Sequence, residues 1–185
     1  MNNGCVVREM VRLPCRPRWI EFPPKTKPSR EHRRAFAAGV LSAVMMTAAL
    51  AAARKAKVTP LDFPMFLGSA LTRKRNAQTR ALGLAWNLVN GGALAVGYAL
   101  VFRSLGRSGW KTGAVLSAPH MVLAGASMAL APKMHPAVGR FRAIKPPGFM
   151  ARSYGLGSVF AFIASHMLFG AAVGGMFRRF KRARW

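Results

Sequence analysis

Four stretches of this chain contain no Asp, Glu, Lys or Arg: 35–53, 81–102, 112–132 and 153–177, of 19, 22, 21 and 25 residues. A hydrocarbon core roughly 30 Å thick takes about 20 helical residues to cross. Helices are the natural form for such stretches, because lipid offers backbone N–H and C=O groups no partner. Each stretch ends at cations, including Arg33 and Arg34, Arg54 and Lys55, Arg80, Arg103, Lys111, Lys133, Arg152 and Arg178. Such side chains reach back to the headgroups. Four buried helices of a soluble bundle would need charged faces, and these have none. The pattern predicts an all-α integral membrane four-helix bundle, with the first, Ala-rich span the shortest.

Charge is the second constraint. The formal net charge is +25, from 29 Lys and Arg against four acids, Glu9, Glu21, Glu31 and Asp62. A soluble nucleic-acid-binding protein reaches such a charge, but rarely with 52% hydrophobic residues. Here charged and apolar residues are segregated into blocks, so the expected partner is a bilayer with anionic lipids and no nucleic acid. Residues 1–34 read as a basic, disordered arm. They hold no apolar signal-peptide core, and Pro14, Pro17, Pro23, Pro24 and Pro28 break up any amphipathic helix; Met10 offers an alternative start. Cys5 and Cys15 in that arm have no further cysteine for a structural zinc site and read as free thiols. The tail 178–185 interleaves aromatics with Arg178, Arg179, Lys181, Arg182 and Arg184, a pattern suited to lipid headgroups and equally to a solvated, anti-aggregation end. With four crossings both termini share a side, which carries 17 cations against 12 on the other. That bias favours cytoplasmic termini.

Two connections carry information. The nine-residue link 103–111 contains Gly106 and Gly109 and predicts a tight antiparallel hairpin of spans two and three. Residues 62–72 are apolar but too short to cross, and predict an interfacial or re-entrant helix. Asp62 would cap it, Pro64 would fall in its first turn, and Arg73, Lys74 and Arg75 would face its negative end. As the only acid after Glu31, Asp62 is also a candidate functional acid.

Polar groups inside spans are functional candidates because burying them is costly. Span two carries Asn87 and Asn90, span three His120 and span four His166. Counted from the span ends, Asn90, His120 and His166 lie near mid-depth, which predicts one polar layer. It has two readings: a proton relay or small-ligand site with the histidines as titratable members, or interhelical hydrogen bonding worth about 0.6–2 kcal/mol per contact. Glycine-rich faces such as 170–174 suit close packing under either. The histidines lack the helical pair spacing of a metal site. No Gly-Lys-Ser/Thr phosphate loop, paired carboxylates or Gly-x-Ser-x-Gly elbow is present. No catalytic residue, metal or cofactor is expected.

Several short motifs occur together: Leu61-Asp62-x-Pro64, an Asn-bearing span running into Gly97-Tyr98-Ala99-Leu100, Gly109-Trp110, His120, Met134-His135-Pro136, and Ser165-His166-Met167-Leu168-Phe169-Gly170-Ala171. Over roughly 36–177 the chain resembles a family of small bacterial inner-membrane proteins with four spans and no established activity. That family has Gly-His and Tyr-Gly around the last histidine, where this chain has Ser165 and Phe169. The resemblance implies topology and a bacterial inner membrane, and no reaction. Two functions stay open: a non-enzymatic accessory or structural component that packs against other membrane subunits or itself, and a small transporter or proton-coupled carrier using the His/Asn layer.

Overall fold

The computed structural model describes residues 28–139 and 143–182, the side chains of 28, 29 and 179–182 excepted. The expectations on Cys5, Cys15, most of the basic arm, and the side chains of Arg179, Lys181, Arg182 and Arg184 lie outside the described residues. Five α-helices follow in order: α1 (Pro28–Lys55), α2 (Phe63–Gly68), α3 (Ala77–Ser104), α4 (Trp110–Met134) and α5 (Leu156–Arg182), with a short 3-10 segment at Phe149–Tyr154. Four of them are long and apolar enough to cross a membrane. At most 39% of the most apolar stretch of each is buried inside the molecule. Leu41, Val89, Val115, Phe160 and Met167 are exposed. A surface of that kind belongs in lipid. The chain is a multi-pass membrane protein built as an all-α bundle.

Helix ends follow their local chemistry. α1 starts seven residues before its charge-free core: Pro28 occupies the first position and Glu31 the first turn, where the dipole favours an acid. Glu31 also faces Arg103 at 3.7 Å, tying the start of α1 to the end of α3. α3 is capped by Asn76, whose side chain accepts from Thr79 N at 2.9 Å. α5 begins at Leu156 and not at 153. Gly155 sits at φ +97, and the 3-10 turn before it holds Met150 and Ala151 at positive φ, so residues 153–154 belong to a turn. α2 has six residues where eleven were expected, because the chain turns out of the helix at Ser69.

The order of packing departs from the sequence order. α1 packs against α3 and α5, and α5 packs against α4; no comparable packing joins α3 to α4. The tight hairpin of spans two and three is therefore not formed, although the link between them is short. Glycine decides this, since small residues let helix backbones approach in a membrane. On one seam a Cβ at Gly39 would overlap the Gly91 carbonyl, and one at Gly91 would sit 2.7 Å from Ala43 Cβ. On the other, Cβ atoms at Gly113, Gly170 and Gly174 would strike backbone carbonyls of the opposing segment. The facing sides of α3 and α4 carry Leu94, Leu116 and Leu123 instead.

Candidate functional site

Because α3 and α4 stand apart, a cleft of about 770 Å³ opens between them. Gly91, Leu94 and Gly97 of α3 form one wall, and Leu116, His120 and Leu123 of α4 the other. Met46 of α1 with Phe162, His166 and Phe169 of α5 make the floor. Its volume is in the range of small-molecule sites, roughly 300–1,000 Å³. At the end near the 103–109 link, Tyr98 Oη donates to the Leu116 carbonyl at 3.2 Å, a bond from α3 to α4. At the other end Phe66, Leu67 and His135 line the cleft.

The histidines meet on this floor. Their rings lie 5.2 Å apart, centroid to centroid, at 60°. His166 is buried, and its Nδ1 lies 2.8 Å from the Phe162 carbonyl one turn earlier. A carbonyl only accepts, so Nδ1 carries the proton and the neutral ring presents Nε2 as an acceptor. The Phe162 ring packs on His166 at 4.1 Å, and Phe169 contacts His120 at 5.6 Å. His120 Nδ1 is buried without a hydrogen-bond partner. Native proteins rarely leave such an atom unmade.

The two asparagines part company. Asn87 is buried and donates to Thr47 Oγ1 of α1 at 2.9 Å, so it bonds the α1/α3 seam. Asn90 is exposed and lines the cleft across from the histidines. Three residues on a helix are about 60° apart around the axis, enough to put one side chain in a seam and the next on an open wall. The predicted single layer is thus a histidine pair, a facing Asn90 and a separate Asn87 bond. The Phe162 contact was accessible to sequence reasoning, since it precedes His166 by one helical turn; Thr47 and Tyr98 carried no such signal.

Asp62 caps α2, accepting from Met65 N at 3.2 Å. The same carboxylate takes Arg54 at 3.0 Å and Arg80 at 2.6 Å, joining the end of α1 to the start of α3. Both arginine side chains are about half exposed, which limits the strength of the pairs. A smaller cavity of about 460 Å³ lies beside them, rimmed by Arg54, Lys55 and Arg80 and backed by Leu50 and Phe63. Three cations to one acid there suit a lipid phosphate. At the opposite end of the bundle Arg178 is exposed, close to Gly109. Among the described residues no three His, Cys, Asp or Glu side chains converge.

His135, just past α4, fastens α2 to α4. Its ring stacks on Phe66 at 4.8 Å, and Nδ1 lies 3.1 Å from Ser69 Oγ. The Ser69 hydroxyl donates its one proton to the Phe66 carbonyl, so toward His135 it accepts. Burial holds the His135 pKa below the usual histidine value, with the Phe66 carbonyl opposing in part. The unfolded chain then binds the proton first. Stability from this group is present above the ordinary pKa of about 6.5 and is lost as pH falls through it toward the lower folded value. Between about pH 7.5 and about pH 5, the native chain should lose more thermal stability than the His135→Gln variant. Equal losses would show that this ring is not responsible.

Comparison with protein-family models, with curated proteins and with solved structures finds no match to this chain.

Proposed function

We propose that this is a non-enzymatic component of a bacterial inner membrane that holds a lipid-soluble molecule in the cleft between α3 and α4. The observation that carries the reading is the cleft itself. It is apolar, lies between two spans that do not pack together, and has two histidines on its walls and floor. A bundle that served only to fill the membrane would gain by closing that seam, because well-packed helices maximise dispersion contacts. The bacterial setting rests on the resemblance in the spans. Cytoplasmic termini rest on the excess of cations on their side, and the cationic rim at Arg54, Lys55 and Arg80 supports contact with anionic lipids. The exposed apolar faces also leave room for further membrane subunits or a second copy.

Gly97 provides the test. It lines the cleft, and a Cβ there would meet no atom within 4 Å. Native mass spectrometry of the full chain, released from detergent after titration with para-hexylanisole, should show one probe retained per chain. Gly97→Trp should abolish retention by occupying the cleft, whereas Gly97→Ala should keep it. Retention unaffected by the tryptophan sinks the reading. The carrier alternative predicts pH-dependent solute flux from proteoliposomes, which this function does not.

A further inference from the structure

Resting on the cleft reading, we infer that its ligand is a neutral amphiphile with an O–H donor at one end of an apolar body, recognised by His166 Nε2 and His120. His166 spends Nδ1–H on the Phe162 carbonyl, leaving a lone pair on Nε2, for which no partner exists among the described residues. His120 Nδ1 is likewise unpartnered. These are the unsatisfied ring nitrogens of two residues that line the same cavity at contact distance. The remaining walls near them, Leu94, Leu116, Leu123, Phe162 and Phe169, are apolar.

A ligand must satisfy that pattern. A hydrocarbon would leave Nε2 of His166 without a partner. A ligand with only acceptor oxygens, such as an ether or an ester, would set a lone pair against the lone pair of Nε2. An anion is disfavoured as well, because the described acids, Glu31 and Asp62, and the described cations sit at the ends of the spans, so no charge compensates at mid-depth. What remains is a neutral hydroxyl: it donates to Nε2, and its oxygen is free to accept from His120 when that ring carries its proton on the nitrogen facing the ligand. Alkylated phenols, long-chain alcohols and protonated fatty acids share this head.

The experiment compares each O–H probe with its methylated partner, which keeps the apolar body and removes the donor. The pairs are para-hexylphenol with para-hexylanisole, n-decanol with decyl methyl ether, and decanoic acid with methyl decanoate, all titrated onto the full chain and read by native mass spectrometry. At least one O–H probe is expected to bind about tenfold more tightly than its partner, the ratio one well-made hydrogen bond gives. The pair with the largest ratio names the source of the head. In His166→Phe that ratio should fall to about one while the ether still binds. Ratios near one in every pair on the native chain overturn the inference and leave the cleft reading standing. Absence of binding by all six probes overturns both. Because the native chain alone decides between these outcomes, a misfolded His166→Phe does not blunt the test.

Discussion

Gly174→Leu is expected to break the α4/α5 pair, while Gly175→Leu, one residue along the same helix, leaves it intact. At Gly174 any Cβ overlaps the carbonyl of Gly109 and sits 3.1 Å from Gly113 Cα. Both obstacles are backbone, which yields only if the helices separate. At Gly175 a Cβ meets nothing within 4 Å. Overpacking a seam of this kind costs about 3 kcal/mol. Leucine at the open position removes a helix-interior glycine and gains a little less than about 1 kcal/mol in propensity. For a domain of this size the first change lowers the midpoint of thermal unfolding by about 10 °C. Circular dichroism of both variants in the same detergent reads the difference directly. Matching midpoints would mean that α4 and α5 are not held backbone to backbone.

The same glycines explain where sequence reading succeeded and where it stopped. Spans were legible because each is an uninterrupted run without charge, and lipid imposes that on every crossing helix. Their ends were less so: α3 runs back through Arg80 to its cap at Asn76, since a cation near a headgroup is compatible with helix and only a cap marks the true start. Asp62 and Pro64 gave the start of α2, whereas its length depended on Ser69 finding the Phe66 carbonyl and His135. Pairing of helices was the larger gap. The 103–111 link pointed to α3 against α4, but chain proximity is weaker than backbone fit. Which glycine faces which can be read only when both helices are in place. Depth in the membrane was legible and brought His120 to His166; azimuth was not, and it sent Asn87 to Thr47 and left Asn90 on the cleft wall.

Gly83→Leu should release α2 while leaving the four crossings in place. A Cβ at Gly83 would overlap the Pro64 carbonyl and lie 2.5 Å from Gly68 N, and Gly68 in turn is pressed against Thr79. Six residues cannot hold a helix without such docking, so α2 has no stable position once the contact is blocked. Ser69 reports on it, being fully buried at the end of α2 and bonded to His135. In a Cys5→Ser, Cys15→Ser background, Ser69→Cys should react slowly with a water-soluble maleimide, because the thiol is reached only when α2 lifts. Adding Gly83→Leu should raise the labelling rate about 100-fold, as protection by docking becomes protection by a frayed segment. Adding Gly97→Leu, at an open position of the same helix, should leave the rate alone. Since Phe66, Leu67 and His135 line one end of the cleft, the released chain should also lose retention of para-hexylanisole with its helicity intact. Unchanged labelling in Gly83→Leu would show that α2 is held by the Asp62 ion pairs and not by its backbone contact with α3.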